Sequence, residues 1–153
     1  LRRQEVRRMK EIRNRMKLEF ESRSCNESFA RTAVAAFAAQ LDPTYEEVSD
    51  IRTAVSEAVT NCIVHAYRER VETVYITAEI RGERELVVRI RDKGCGIADI
   101  EQAMQPLFTT APGEERAGLG FAVMQSLCDR VRVRSKPDAG MTVTLIKTLK
   151  LRQ

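Results

Sequence analysis

The sequence predicts an α+β fold, a two-layer sandwich in which helices cover one face of a mixed, mostly antiparallel sheet. Apolar residues recur at three- and four-residue steps in two early segments and alternate with polar residues in five others. Strands follow one another through short turns in the order β-α-α-β-β-α-β-β, which favours antiparallel neighbours. At 153 residues with 43% hydrophobic content, the chain is long enough for one domain with a sizeable core.

The first predicted elements are a strand and a helix rich in small residues. Met16 to Glu21 alternates apolar and polar residues, as a half-buried strand does. Ser24 and Glu27 have the spacing of a capping box and predict the start of a helix that runs to Leu41. Its many alanines would let it pack closely against a neighbour.

The second helix is predicted to run to about Tyr67, and its start can be placed in two ways. Asp42 as N-cap with Pro43 at the first helical position is one. Thr44 and Glu47 form a competing capping box. Apolar residues then recur with helical spacing, so that one face of this helix would cover the sheet.

Four further strands are indicated by β-branched residues in alternation with polar ones. They run from Val71 to Arg81, Glu85 to Arg91, Val131 to Ser135 and Met141 to Leu149. Gly82-Glu83 and Pro137-Asp138-Ala139-Gly140 supply turns within the two pairs. A short helical turn is expected after Asp99.

Between the two strand pairs, Gln105 to Ala117 is too polar and too broken by proline and glycine to form part of a core. It predicts a mobile lid. Gly118 is predicted to open a third helix, which continues through Val123, Met124 and Leu127.

The net charge of +4 is unevenly distributed. Residues 1–17 hold eight basic and two acidic residues, and the remainder holds 18 basic and 20 acidic ones. We interpret residues 1–15 as a basic extension, either an expression remnant or an upstream segment, and residues 16–149 as the domain. Because the domain lacks a basic stripe with interleaved aromatics, we expect no direct binding of nucleic acid. Without a long apolar run or a signal peptide, we expect no membrane contact and a cytoplasmic location.

The four cysteines, Cys25, Cys62, Cys95 and Cys128, contain no close pair of the kind that metal sites use. We expect separate thiols that act as small hydrophobes, with Cys95 the more exposed because two glycines flank it. His65 follows Asn61 by one helical turn, and a surface or packing role suits it better than a phosphoacceptor or metal-binding role.

Glu57 and Asn61 lie one helical turn apart and therefore share a helix face. The side-chain oxygen of Asn61 suits Mg²⁺, which prefers hard oxygen ligands. Glu57 has the chemistry of a general base for a hydroxyl nucleophile. Alone, such a pair is more often a solvated helix face.

Two glycine segments complete a nucleotide pocket that needs no Walker-type lysine. Asp92 leads from a strand into Gly94 and Gly96, where it would accept a hydrogen bond from the adenine amino group. Gly118-Leu119-Gly120 precedes an apolar helix whose free N–H groups would attract phosphate. Arg116, just before it, carries a guanidinium fork suited to a terminal phosphate. In combination, these segments indicate ATP.

With these residues in place, the chain resembles the GHKL superfamily, which includes the ATP-binding domains of gyrase, Hsp90, histidine kinases and MutL. Glu57-x-x-x-Asn61 is similar to its N box, Asp92-x-Gly94-x-Gly96 to its first glycine box and Gly118-x-Gly120 to its second. The resemblance covers residues 16–149 and implies the Bergerat ATP-binding fold.

Further segments resemble the sporulation anti-sigma-F factor family, namely residues 25–31, 40–44, 56–61 and 105–110. That resemblance implies a dimeric serine kinase that sequesters a sigma-F-type factor and phosphorylates a STAS-type anti-anti-sigma protein. It implies Glu57 as catalytic base, Arg116 as a phosphate-sensing lid residue, Asn61 as Mg²⁺ ligand and Asp92 as adenine reader. The remaining residues that it implies for binding ATP or ADP are Gly94, Gly96, Ile97, Thr109, Thr110, Gly118, Leu119, Gly120 and Thr142.

Two positions depart from the family pattern. The third glycine box usually has Thr directly after Gly, whereas here Met141 follows Gly140 and Thr142 comes one place later, facing the other way on a strand. Adenine recognition would then depend more on Asp92. Where the family tends to have His-Gly-Tyr, this chain has alanine at position 66, which would crowd a backbone that approaches it.

Alternatives remain open at this point. A stress-response anti-sigma-B type kinase has similar chemistry, although the Pro-Leu-Phe-Thr-Thr lid argues against it. A nucleotide-dependent binding module would hold partners without transferring phosphate, but binding alone does not need the base Glu57. We expect neither a histidine-kinase catalytic domain nor a gyrase-type ATPase, which would bring a phosphoacceptor helix or further domains.

Overall fold

Helices cover one face of a five-stranded sheet in the computed structural model, which describes residues 2–5, 11–97, 104 and 119–150. The elements follow in this order: β1 (Ile12–Glu21), α1 (Cys25–Ala38), a 3-10 turn (Ala39–Leu41), α2 (Tyr45–Thr60), a π-helical turn (Asn61–Ala66), β2 (Thr73–Arg81), β3 (Glu85–Asp92), α3 (Phe121–Leu127), β4 (Arg130–Ser135) and β5 (Met141–Thr148). The predicted α+β sandwich is confirmed. The lid and the turn after Asp99 lie outside the described residues.

The sheet has the order β1-β2-β3-β5-β4, and its four strand pairings are all antiparallel. The described sheet is therefore not mixed, because its pairings follow hairpin turns or connections that reverse the chain direction. Gly82, with φ +57°, makes the β2–β3 turn, where its N–H donates to the carbonyl of Glu11 at 2.8 Å. A positive φ of this kind favours glycine.

The core lies between the helices and the inner face of the sheet. Alternate residues of β2, β3 and β5 meet the apolar stripe of α2 and the small residues of α1. Its central members are Ala30, Val34, Ala38, Ile51, Val55, Ala58, Val59, Val74, Ile76, Ile80, Val88, Ile90, Val143 and Leu145. Alanines at the contact let α1 and α2 lie close together, as their sequences predict. Among the described helices, none has the length and apolar character that crossing a bilayer requires.

Strand β1 begins at Ile12, four residues before the predicted start at Met16. The additional residues pair with β2 and bring Arg15 to Glu79, which is only 4% exposed. Glu79 also contacts Arg81 at 2.8 Å and Arg89 at 3.1 Å. Burial raises the pKa of Glu79, but the guanidinium groups together lower it by more. The pKa therefore lies below its usual value. The polar, arginine-rich start of β1 thus belongs to the sheet.

The predicted capping box at Ser24 and Glu27 is wrong. Ser24 already has helical angles, φ −58° and ψ −33°, and its side chain makes no capping hydrogen bond. The carboxylate of Glu27 instead accepts from Arg31 and from the hydroxyl of Ser56 on α2. It therefore ties the two helices together rather than closing the end of one.

At the start of α2 the Thr44 box forms, and the assignment of Asp42 as N-cap with Pro43 at the first helical position is wrong. Asp42 adopts a left-handed conformation, φ 50°, that ends the preceding 3-10 turn. The Thr44 hydroxyl accepts from the Glu47 N–H at 3.1 Å, and the Glu47 carboxylate accepts from the Thr44 N–H at 2.9 Å. The other oxygen of Glu47 accepts from the Lys150 N–H at 2.9 Å, so this cap also holds the residues after β5.

We predict that Thr44→Ala lowers the free energy of unfolding by about 1 kcal/mol, because α2 loses its N-cap acceptor. Urea denaturation at constant m-value measures the change. Ser24→Ala is the matched control and should change stability by less than about 0.5 kcal/mol, since an exposed serine that caps nothing is removed. Equal losses in the two variants would contradict this assignment of the caps.

Candidate functional site

The site is built on the end of α2, where the helix widens into a π-helical turn from Asn61 to Ala66. Such turns are rare in helices and are frequent at functional sites, because they reorient side chains and backbone groups. Glu57 lies on the last regular turn, and Asn61 begins the widened one. The helix ends at Tyr67, close to the predicted end.

The amide of Asn61 joins α2 to the second glycine segment. Asn61 is 2% exposed, and its Nδ2 donates to the backbone carbonyl of Leu119. This bond directs the amide nitrogen to the protein, which leaves Oδ1 as an acceptor for a ligand. The structure thus brings together two residues that the sequence places 58 positions apart.

Glu57 packs against the same segment. Gly120 has φ +70°, and a Cβ at this position would collide with the carboxylate of Glu57. The positive φ favours glycine here, and any larger residue would also displace the carboxylate of Glu57. The segment precedes α3, which begins at Phe121 rather than at Gly118.

Glu57 also faces a second space, an open cleft of about 620 Å³ on the outer side of α1 and α2. Arg31, Tyr45, Arg52 and Ser56 are among the other residues that line it. Glu57 therefore lies between this cleft and the glycine segment that Asn61 holds.

Asp92 lies at the end of β3, where it is 2% exposed. Its Oδ1 accepts from the Gly94 N–H at 2.9 Å, and the thiol of Cys62 lies 3.6 Å from its Oδ2. Burial raises the pKa of Asp92, while the bonds from Gly94, Cys62 and Met141 act in the opposite direction. A carboxylate has about four acceptor positions, so Asp92 retains capacity for a ligand amino group.

The first glycine segment packs directly on the π-helical turn. A Cβ at Gly94 would lie 2.5 Å from the carbonyl oxygen of Ala66 and 2.7 Å from its Cβ. The crowding expected from alanine at position 66 is thus accommodated by glycine at position 94. The Cys95 N–H also donates to the Ala66 carbonyl at 3.3 Å, so the loop is fixed to the helix end.

Tyr67 connects the start of the first glycine segment to β2. Its buried hydroxyl donates to the carbonyl of Thr73 at 2.7 Å and accepts from the Lys93 N–H at 2.6 Å. Burial raises the pKa of Tyr67, so the hydroxyl keeps its proton at neutral pH. One phenol therefore positions the start of the glycine loop relative to β2.

These elements surround a cavity of about 160 Å³. Its lining comprises Asn61, His65, Ala66, Arg68, Asp92, Cys95, Gly96, Ile97, Leu119 and Met141. Small-molecule sites are typically about 300 to 1,000 Å³, so the described residues enclose only a part of a nucleotide, such as its base.

Several predicted site residues lie elsewhere. Met141 lines the cavity, whereas Thr142 faces the side of the sheet opposite to the described helices α1 and α2, among Arg91 and Arg134. Because side chains alternate between the two faces of a strand, Thr142 does not face the cavity, although the family resemblance implies that it binds the nucleotide. Gly94 does not line the cavity and lies against Ala66 instead. Thr109, Thr110, Arg116 and Gly118 lie outside the described residues.

Two residues near the cavity have contacts that the sequence does not predict. Cys62 is a core residue, as expected, but its buried thiol also lies against Asp92, and burial first, then Asp92, raise its pKa well above the usual value. His65 lines the cavity together with Arg68, and burial together with that guanidinium lowers its pKa. The one-turn spacing of His65 from Asn61 is the signal that sequence offers, and for Cys62 there is none.

Among the described residues, the arrangement fits an adenine nucleotide with a divalent cation. The buried carboxylate of Asp92 can accept from an amino group, and the oxygen of Asn61, which lines the same cavity, is the kind of ligand that Mg²⁺ takes. Asn61 would hold the ion, which would supply charge neutralisation at the phosphates.

Comparison with known proteins agrees with this geometry. The family model described as histidine kinase-like ATPase domain matches residues 20–147. An anti-sigma F factor of Thermoanaerobacter sp. (strain X514) is 57% identical over 137 residues, which cover 90% of this chain and 95% of the relative. The anti-sigma F factor of Bacillus subtilis (strain 168) is 50% identical over 139 residues, which cover 90% and 94%.

Solved structures share the fold at low identity. The RsbU and RsbW domains of a Mycobacterium tuberculosis protein superpose with a TM-score of 0.64 at 17% identity, covering 89% of this chain and 32% of that one. A blue-light activated histidine kinase of Erythrobacter litoralis gives 0.55 at 20% identity, covering 77% and 40%. From the family model and the high identity to its relatives, the chain belongs to the anti-sigma F factor family of histidine kinase-like ATPase domains.

Proposed function

We propose that the protein is an anti-sigma factor with ATP-dependent protein serine kinase activity. In this proposal it inhibits a sigma-F-type factor and phosphorylates a serine of a STAS-type anti-anti-sigma protein. The observation that carries it is the position of Glu57, which packs on the Gly120 segment beside Asn61 and lines the open cleft. A base placed between a nucleotide cavity and an open cleft is what transfer to a protein hydroxyl needs.

The nucleotide would lie with its base at Asp92 and its phosphates toward Asn61 and the Leu119-Gly120 segment. Asp92 would accept from the adenine amino group with the lone pairs that Gly94 and Cys62 leave free. The predicted contributions of Arg116, Gly118, Thr109 and Thr110 belong to the same proposal. ADP would occupy the base and sugar positions equally well, since those contacts do not involve the terminal phosphate.

The chemical step requires a proton acceptor and a fixed geometry. Glu57 would take the proton of the partner's serine hydroxyl as the serine oxygen forms its bond to the γ-phosphorus. The bond from that phosphorus to the bridging oxygen breaks, and ADP leaves with the electron pair. The hydrogen bond from Asn61 to Leu119 holds the Leu119-Gly120 segment against α2, and Glu57 lies against Gly120. The base and the proposed phosphate-binding segment would therefore keep a fixed relative position.

The partners follow from the family rather than from the geometry. Relatives at 50% to 57% identity are named anti-sigma F factors, which supports a sigma factor as partner. Sporulation, a homodimer, Mg²⁺ and a cytoplasmic location belong to the same proposal, as does action without direct binding of nucleic acid or membrane.

Two alternatives make different predictions. An anti-sigma-B type kinase would use the same residues on other partners. A nucleotide-dependent binding module would hold a sigma factor without transferring phosphate, and the placement of Glu57 on the cleft would then have no chemical consequence.

We predict that the chain, incubated with ATP and Mg²⁺ in a lysate of a spore-forming host, retains a sigma factor and yields a small protein that carries phosphoserine. Glu57→Gln should retain ATP binding within about twofold, because an amide keeps the size of the side chain. It should lower phosphoserine formation by about a hundredfold or more, as expected when a general base is lost. Mass spectrometry and calorimetry measure the two quantities.

Glu46→Gln, an exposed change in the first turn of α2, is the control and should transfer phosphate normally. Full transfer by Glu57→Gln would remove Glu57 as the base. Retention of a sigma factor with no phosphoserine in the wild-type reaction would favour the binding module.

We predict that Asp92→Asn weakens ATP binding about tenfold or more and reduces the preference for ATP over GTP. Loss of a charged acceptor costs about 1.5 to 3 kcal/mol, and the new amide can donate to the guanine oxygen that replaces the adenine amino group. Calorimetry with both nucleotides measures the ratio. Glu83→Gln, in the distant β2–β3 turn, serves as control. An unchanged ratio would mean that Asp92 does not read the base.

A further inference from the structure

The face of the sheet opposite to the described helices α1 and α2 carries arginines in register across three strands. Arg91 on β3, Thr142 on β5 and Arg134 on β4 form one row, and Arg89, Thr144 and Arg132 form the next. Alternate residues of a strand share a face, so all six side chains lie on the side away from the helices. We call these six residues the arginine groove.

The groove has regular dimensions. Neighbouring strands lie about 4.8 Å apart, so within each row the arginine of β3 and the arginine of β4 are separated by about 10 Å across a threonine floor. Residues two apart on a strand are about 6.8 Å apart, which is the distance between successive rows. Beyond Thr142 the groove opens into a cavity of about 490 Å³, where Lys93 and Lys136 join Arg91 and Arg134.

Most of this positive charge has no compensating carboxylate. In the arginine groove and the cavity beyond it, Arg91, Lys93, Arg132, Arg134 and Lys136 are exposed and form no ion pair with a carboxylate of the described residues. Arg89 shares Glu79 at 3.1 Å. Asp138 also lines the cavity, and Asp92 is directed to its backbone partner Gly94. Like charges this close along each strand and across the threonine floor repel, so an anion that binds here relieves that repulsion.

We propose that the arginine groove binds an extended acidic segment of a partner protein, with carboxylates at alternate positions. Alternate side chains of an extended chain point to the same side and are about 6.8 Å apart, which matches the spacing of the arginine rows. Each carboxylate would accept from guanidinium groups, whose fork suits two parallel hydrogen bonds. The threonine hydroxyls of the floor can donate to the same anions.

Single-stranded nucleic acid fits the groove less well. Proteins that bind it offer open aromatic faces on which bases stack. Here the floor is threonine, and the ring of the adjacent Tyr75 has the Arg91 guanidinium 4.6 Å and the Lys93 ammonium 5.0 Å from its centroid. A second copy of this face is disfavoured because it would bring the same positive charges together. None of the six groove residues lines the proposed nucleotide cavity, although the cavity beyond Thr142 shares Asp92 and Met141 with it.

Two fluorescein-labelled peptides of equal composition test the proposal by fluorescence anisotropy. One alternates five Glu with five Ser, and the other has five Glu followed by five Ser. Wild-type protein should bind the alternating peptide at least about fivefold more tightly, because only that peptide presents all its carboxylates on one side when extended. Arg132→Glu combined with Arg134→Glu should weaken this binding about tenfold or more and remove the difference, since attraction becomes repulsion at two rows.

Arg23→Glu combined with Arg84→Glu makes the same change in charge at exposed positions outside the groove. This control should alter binding less than about threefold, with circular dichroism confirming that both variants are folded. Equal affinity for the two peptides, or equal losses in the two double variants, would show unspecific attraction and overturn the proposal. Tighter binding of a ten-nucleotide oligothymidylate than of the alternating peptide would assign the groove to nucleic acid instead.

Discussion

The hydrogen bond from Nδ2 of Asn61 to the carbonyl of Leu119 is the interaction on which the rest of the site depends. It fixes the Leu119-Gly120 segment against the end of α2, and Gly120 in turn leaves room for the Glu57 carboxylate. On the other side of the helix end, Gly94 packs on Ala66 and brings the Asp92 loop to the same cavity. Two segments that are distant in sequence thus share one helix end as their base. Because Gly94 lies against backbone atoms of Ala66 without room for a Cβ, the Asp92 loop tolerates little displacement from the helix end.

The sequence predicts the fold well because its periodic signals are strong. Hydrophobic alternation locates β2 to β5 within two residues, and glycine and proline mark their turns. Helix starts are harder, since Ser24 and Thr44 both match a capping box and only Thr44 forms one. The tertiary contacts differ, because Glu27 turns to Arg31 and Ser56, whereas Glu47 keeps one oxygen on Thr44 and uses the other for Lys150. At β1, pairing with Glu79 extends a strand whose first residues are too polar to be recognised locally.

For the site, the motifs predict which segments meet but not which side chains face the cavity. Asn61, Asp92, Gly96, Ile97 and Leu119 line the cavity, as does Met141, whereas Thr142 lies on the other face of its strand. The contact of Cys62 with Asp92 depends on how β3 ends beside the π-helical turn, which no local pattern specifies. The buried position of Asp92 is also unfavourable, because burial opposes ionisation of its carboxyl group. A polar group that is expensive to bury, yet keeps acceptor capacity free, is typical of a binding site rather than of a core.

A crystal structure of the protein with a non-hydrolysable ATP analogue and Mg²⁺ would show whether the cavity holds the nucleotide as proposed. We expect the adenine amino group within about 3.2 Å of an oxygen of Asp92, as a hydrogen bond requires. We also expect Nδ2 of Asn61 to remain on Leu119 while Oδ1 faces the phosphates and their metal ion. A base bound away from Asp92, or an Asn61 amide turned out of the cavity, would contradict this placement of the nucleotide.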